Sequence, residues 1–309
     1  MTIVLAGGSG FIGTRLAKTF LTRGHTVIVI DIKSPTFTDK QLFFIQCDLG
    51  TSPLPYNVLE RTDAVINLVG APINKRWTDS YKEEIKNSRI QSTKTIVAAI
   101  ESAQSKPSVF ITASAIGYYG DTGTQSVDES GSHGAGFLSD VVVAWEAESQ
   151  KASALGVRTV IIRTAPVLGR GGMIASLLRS SRFGFTSYLS KKDFWMSWIH
   201  EDDIVAVYLF ALETTTLQGI VNAVAPTPIR HHSFMKIFAH AAHRRIFGTV
   251  PQWIAHRMFG ELFDYITVDQ QIIPQRLIDK GFTFLYPTID TAFTSLFPQK
   301  KRIKNHEAN

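Results

Sequence analysis

A single cysteine, Cys47, in 309 residues leaves no partner for an internal disulfide. The fold is therefore not a disulfide-stapled secreted scaffold, and a reducing compartment such as the cytoplasm is the expected location. No apolar run approaches the roughly 18 residues that a spanning helix needs. No basic segment precedes the first apolar run, Met-Thr-Ile-Val-Leu-Ala, so it reads as a first strand and not as a leader peptide. Charged residues are few, 19% against 44% hydrophobic; this is near ordinary globular usage and excludes a disordered chain. Acidic residues are outnumbered, giving a net charge of +6. Half of that excess comes from a polar end in which Lys300, Lys301, Arg302 and Lys304 stand against Glu307. Residues 298–309 read as a disordered solubilising tail and not as a grip on nucleic acid. His231, His232, His240 and His243 lack cysteines or carboxylates at ligand spacing, so no metal is expected.

What is present is an alternation of strand-like and helix-like segments. Residues 2–6 form a short apolar, partly β-branched run ending in glycines, as a strand buried on both faces does. Phe11, Ile12, Leu16, Phe20 and Leu21 recur at helical spacing, and Gly24-His25 closes that helix before a second strand at 26–31. Residues 43–46, 64–68, 109–113 and 158–163 repeat the strand pattern. Segments 78–104 and 137–155 read as helices, the first with Tyr81, Ile85, Ile96, Ala99 and Ile100 on one face. Strands alternating with helices predict an α/β fold, a doubly wound parallel sheet covered on both sides. After about residue 164 the rhythm loosens into a Gly-rich stretch at 169–172, an aromatic stretch at 183–198 and helices from about 232 to 296. That part reads as a smaller, mainly helical lobe on the substrate side.

The strongest motif is Gly7-Gly8-Ser9-Gly10-Phe11-Ile12-Gly13, which satisfies both G-x-G-x-x-G and G-x-x-G-x-x-G. Between a strand and a helix, missing side chains allow a tight turn and bring backbone N–H groups to a pyrophosphate at the helix N-terminus. Asp31 ends the second strand, where its carboxylate can accept hydrogen bonds from both adenosine ribose hydroxyls. That favours NAD(H). Lys33, just beyond Ile32, could instead meet the 2′-phosphate of NADP(H). Asp48, beside Leu49, is placed either to meet the adenine edge or to hold a turn. Leu68-Val69-Gly70-Ala71 follows the fourth strand, and Gly70 would let backbone lie against the second ribose. Arg163 closes the sixth strand beside the expected cofactor path, where it could bind an anion or pair with an acid.

Gly7–Gly13, Asn67–Gly70, Thr112-Ala-Ser114, Arg163–Gly169 and Trp198-Ile-His-Glu-Asp-Asp203 together resemble an extended short-chain dehydrogenase/reductase. More narrowly, Lys75-Arg-Trp77, Ser88-Arg89, Ser114-Ala-Ile-Gly-Tyr-Tyr-Gly120, Trp145-Glu146 and the helical end from about 250 are similar to epimerase-family proteins of the nucleoside-diphosphate-sugar-epimerase type. Those proteins carry a C-terminal domain of unknown function. The resemblance spans about residues 1–297 and implies a Rossmann core at about 1–164, interleaved with a substrate-side lobe at 165–297. It also implies a bound NAD(P), with Ser88, Thr112 and Ala113 among its contacts.

The expected catalytic pair is missing. Hydride transfer in the wider family uses a tyrosine that moves the proton and a lysine four residues on that lowers its pKa. At the matching helix start this chain has Phe137 and Val141, which move no proton. Tyr188 and Lys192 have the spacing, but their flanks read as a loop or hairpin. Ser114 matches the family's serine that hydrogen-bonds the reacting oxygen, and Tyr118 and Tyr119 follow within reach of the same crevice as substitute acids or as a packed pair. His200, with Asp202 and Asp203, is expected to cap the helix that begins at about 201 and fix that loop at the crevice, a catalytic role being the alternative. The favoured function is an NAD(P)-dependent oxidoreductase or epimerase acting on a small polar, sugar-like molecule, as a monomer or homodimer without nucleic acid or membrane partners. The alternative is a dinucleotide-binding protein without turnover.

Overall fold

The computed structural model describes residues 1–298 apart from Tyr56. The basic tail expected at 298–309 thus lies, beyond Pro298, outside the described residues. Seven strands form one parallel sheet: β1 (Thr2–Ala6), β2 (Thr26–Asp31), β3 (Leu42–Gln46), β4 (Ala64–Asn67), β5 (Val109–Ala115), β6 (Arg158–Thr164) and β7 (Gly219–Ala223). Their order is β7-β6-β5-β4-β1-β2-β3. The helices are α1 (Phe11–Thr22), α2 (Asp79–Ser102), α3 (Phe137–Ala154), α4 (Met173–Ser180), α5 (Glu201–Glu213), α6 (His231–Ala241), α7 (Gln252–Phe259), α8 (Leu262–Ile266), α9 (Gln275–Asp279) and α10 (Ile289–Leu296). Among the described residues no helix is long and apolar enough to cross a membrane.

The twofold alternation of strand side chains gives the sheet two apolar faces. Ile3 and Leu5 lie in one core with Leu16, Ala17 and Phe20 of α1 and Ile204, Tyr208 and Leu212 of α5. Val4 and Ala6 lie in the other, with Ile96, Val97 and Ile100 of α2 and Ala152 of α3. Each of the leucine, isoleucine, valine and phenylalanine side chains among them, taken wholly out of water, contributes roughly 1.5–3 kcal/mol. α2 starts where Thr78 accepts the Tyr81 N–H at 3.2 Å, with Asp79 in its first turn, an arrangement that suits the positive end of a helix.

Two departures from the strand-helix rhythm matter. Among the described residues the connections 32–41 and 47–63 contain no helix, so the cover is thin at the β3 edge and Phe43 and Phe44 stay exposed. In the other direction, residues after 164 return to the core. α5 packs on α1, and Gly219–Ala223, in the part of the chain where the strand-helix rhythm loosens, joins the sheet beside β6.

The remaining helices build the lobe. Trp198, Phe234, Phe238, Phe293 and Leu296 share one cluster there. A second cluster brings Leu262, Phe259 and Tyr265 against Trp77, Tyr81 and Ile85, beside Phe137. α7 and α8 thereby close over the starts of α2 and α3. The strand order reverses between β1 and β4, and in open α/β sheets the crevice at such a reversal, at the carboxyl ends of the strands, is where ligands bind.

Candidate active site

The glycine turn occupies that crevice. Gly7 has φ +76°, and a Cβ there would lie 2.9 Å from the Leu68 carbonyl carbon. A Cβ on Gly13 would overlap the Gly7 carbonyl oxygen, so neither position admits a side chain. Gly10 differs, because its Cβ would meet only the Gly7 carbonyl oxygen, at 3.3 Å. The turn is therefore open on the Gly10 side. α1 begins there with no side-chain cap and no acid in its first turn. Its unpaired N–H groups and positive dipole end are left for an anion, and the cradle fits a pyrophosphate.

Around it, Asp31 accepts the Ser9 N–H at 3.0 Å and the Lys33 N–H at 3.2 Å, while Ser9 Oγ donates to the Lys33 carbonyl at 2.6 Å. The carboxylate fastens the glycine turn to the end of β2, and Ile32 and Lys33 remain exposed. Asp48 accepts the Gly50 N–H at 2.9 Å, the geometry of a turn aspartate, and Leu49 is buried. Beyond β4, Asn67 accepts the Val69 N–H and donates to Thr93, and Ser88 accepts the Ala71 N–H at 2.9 Å. A Cβ on Gly70 would press on the Arg89 guanidinium. Arg89 donates to the carbonyls of Ile85 and Ala71 and has no carboxylate partner among the described residues; desolvation lowers its pKa to about 10. Thr112 is buried, its hydroxyl turned to the Ala113 carbonyl at 3.3 Å.

A buried polar chain lies at the carboxyl ends of β5 and β6. Ser114 Oγ donates to Glu146 Oε1 at 2.5 Å, and Arg163 grips the same carboxylate through Nε at 2.8 Å and Nη2 at 2.7 Å. Arg163 Nη1 donates to the Tyr119 hydroxyl at 2.9 Å, which donates to Asn222 Oδ1 at 2.8 Å. Burial opposes the charge on Arg163, but the hydrogen bonds and charge of Glu146 prevail and hold its pKa above the ordinary value. Burial dominates at Tyr119 and raises its pKa. The guanidinium carbon of Arg163 lies 3.3 Å from the centroid of the Tyr118 ring, which meets Tyr119 edge to face.

Of the three sequence-predicted catalytic groups, Ser114 and Tyr119 are buried with committed hydroxyls. Tyr118 is half-buried, and its hydroxyl has no partner among the described residues. Arg163 is 1% exposed with Nε, Nη1 and Nη2 all engaged, and of the two roles open to it from sequence, anion binding or pairing with an acid, it has the second. That acid is Glu146, on the buried side of α3 beside Trp145, and no local pattern links it to Arg163. Phe137 meets Trp77 edge to face at 5.3 Å and its N–H donates to the Tyr265 hydroxyl at 2.8 Å. Tyr188 packs on His232 while Lys192 pairs with Asp269 at 2.8 Å, so these two do not act together. His200 Nδ1 accepts the Asp202 N–H at 3.1 Å and caps α5. Asp203 accepts the N–H groups of Leu285 and Tyr286, tying α5 to the lobe.

The sequence model of the NAD dependent epimerase/dehydratase family matches residues 3–223, and that of a domain of unknown function, DUF1731, matches residues 250–296. Epimerase family protein YfhF of Bacillus subtilis is 30% identical over 304 residues, spanning 98% of this chain and 100% of its own. The chloroplastic homolog of epimerase family protein SDR39U1 from Arabidopsis thaliana is 31% identical over 303 residues, 96% of this chain and 86% of its own. Among solved structures, human epimerase family protein SDR39U1 (isoform 2) with NADPH matches at a TM-score of 0.84 and 27% identity, covering 97% of this chain and 100% of that one.

Proposed function

Since the chain belongs to the NAD dependent epimerase/dehydratase family, we propose that it binds a nicotinamide dinucleotide on residues 7–13 and alters the oxidation state or configuration of one carbon in a small polar, sugar-like substrate. The observation that carries this is the glycine cradle, closed to side chains at Gly7 and Gly13, open at Gly10 and set against an uncapped helix end. The pyrophosphate would take the N–H groups at the start of α1. Asp31, Ile32 and Lys33 would meet the adenosine ribose, Asp48 and Leu49 the adenine side, and Leu68–Ala71 with Ser88 the second ribose. Thr112 and Ala113 would lie at the nicotinamide end. When bound, the nicotinamide supplies or accepts a hydride.

This chain's own residues divide the remaining work. Tyr118 holds the proton at its free hydroxyl and serves as the acid in place of the absent helix tyrosine. Its ring is fixed by the Arg163 guanidinium beneath it. Ser114, Glu146 and Tyr119 act behind it, keeping Arg163 in place. The lobe within residues 165–297, leaving aside α5 and β7 of the core, covers the substrate and excludes water. Asp31 gives a modest preference for NADH over NADPH, which Lys33 partly offsets.

The test combines a panel of nucleotide-linked and free sugars, read by absorbance of the reduced cofactor and by product analysis, with the variant Tyr118→Phe. Removing a positioned acid is expected to lower kcat by about 100-fold or more, with cofactor affinity unchanged. Full turnover in Tyr118→Phe contradicts its role. Absence of dinucleotide binding by the wild-type protein contradicts the whole proposal.

A further inference from the structure

The C-terminal lobe carries a two-stranded ladder, Phe185–Tyr188 paired with Arg245–Thr249. One face packs on α6 through Thr186 and Tyr188; the other carries Phe185 and Phe247, 54% and 78% exposed, in edge-to-face contact at 6.5 Å. Phe183, 76% exposed, precedes the ladder. α7 follows it closely and turns Trp253 and Met258, 71% and 61% exposed, to solvent with Arg257 while burying Ala255. Single exposed apolar residues are ordinary, but Phe185 and Phe247 in contact on one ladder face, with Phe183 just before it and Trp253 and Met258 on the helix next in sequence, point to an interaction surface.

The charge on these segments is one-sided. Residues 173–192 and 232–260 contain eight lysines and arginines and no aspartate or glutamate, which leaves the rest of the chain at a net −2 against the total of +6. Only Lys192 of the eight has a carboxylate partner among the described residues. We propose that this aromatic and cationic face docks on an anionic lipid bilayer, with Phe183, Phe185, Phe247, Trp253 and Met258 entering the interface and Arg182, Arg245 and Arg257 meeting the headgroups. Membrane-surface association adds buried apolar area to attraction between basic side chains and anionic lipid, and both components are present here.

Two other occupants fit less well. A second copy in a symmetric dimer would set the same unpaired cations against one another. Bases of a single strand need a row of open ring faces to stack on, whereas Arg182 lies over one face of Phe183 at 4.6 Å and the edge-to-face contact of Phe185 and Phe247 sets their rings across each other and not in a row.

The full chain should sediment with vesicles of phosphatidylcholine containing about one third phosphatidylglycerol, not with phosphatidylcholine alone, and less so as salt rises. The double variant Phe247→Ala/Trp253→Ala should need roughly tenfold more lipid for half-binding, with melting temperature and NADH affinity unchanged. No binding to the anionic vesicles overturns the proposal, as does binding that the double variant leaves intact, which would assign it to the basic tail. A labelled oligonucleotide bound by the wild type and lost in the variant, or a dimer mass lost in it, would assign the face to nucleic acid or to a second copy.

Discussion

Glu146→Ala should be among the most costly single changes in this protein. Its carboxylate accepts three hydrogen bonds, from Ser114 Oγ, Arg163 Nε and Arg163 Nη2, and the side chains of Arg163 and Glu146 are 1% and 5% exposed. Truncation leaves a sealed guanidinium with only the neutral Tyr119 hydroxyl as acceptor. Removing one member of a buried pair costs about 3–5 kcal/mol, because the other charge is left uncompensated. The loss of Ser114's acceptor pushes the figure toward the upper end. Glu146→Gln keeps the shape and one acceptor oxygen and should cost about half as much. Glu146→Leu/Arg163→Met removes both charges and should destabilise by less than its two single changes together, a coupling of 0.5–3 kcal/mol or more between contacting groups. Urea unfolding followed by tryptophan fluorescence measures these three variants and the two single changes, Glu146→Leu and Arg163→Met, against the wild type. A cost below about 1 kcal/mol for Glu146→Ala, or strict additivity in the double variant, would show that the network is not an integrated unit.

Two further outcomes are expected. Burial lowers the pKa of His200 to about 4, and that of His231 likewise, from the ordinary 6.5. The unfolded chain therefore takes up these protons first, so stability is fully present above pH 6.5 and falls as pH drops from there toward 4. The loss is at most ~3 kcal/mol per group. Urea midpoints across that range should fall, and His200→Asn, which keeps an acceptor for the Asp202 N–H, should flatten the slope; an unchanged slope contradicts this assignment. At the adenosine ribose, Asp31 should favour NADH over NADPH by on the order of tenfold, or about 1.4 kcal/mol. Asp31→Ser should reverse the order, and a wild-type preference for NADPH that Lys33→Ala removes would show that the lysine reads the ribose instead.

The residues differ in how plainly the sequence announces them. Gly7–Gly13 is a local signal, since strand, turn and helix are contiguous and the missing side chains have one steric reason. The parallel sheet is legible for a similar reason, because apolar runs such as Thr2–Ala6 and Thr26–Asp31 are buried on both faces. Side-chain direction at the strand ends is not local. Position along β5 and β6 places Ser114 and Arg163 at the carboxyl edge of the sheet, but only the packing of α3 aims both at Glu146. Asn222 comes from β7, a strand that pattern alone does not reveal, and its amide continues the chain to the Ile273 carbonyl. The Arg89 guanidinium stands close to Gly70 and Ala71 across 18 residues of sequence. The exposed face at Phe183, Phe185 and Phe247 is not local either, since it forms only when Phe185–Tyr188 pairs with Arg245–Thr249, about 60 residues on.

The central claim is that the glycine turn holds the dinucleotide, and one titration tests it most directly. NADH and NADPH are added to the wild type and to Gly10→Asp, with binding followed by cofactor fluorescence and folding checked by melting temperature. A side chain at Gly10 points to the open side of the turn, where its Cβ meets only one atom, at 3.3 Å. The fold should therefore survive while the aspartate's bulk and charge block the pyrophosphate. The account predicts saturable binding by the wild type and none by a folded Gly10→Asp. Equal binding by both proteins would contradict it.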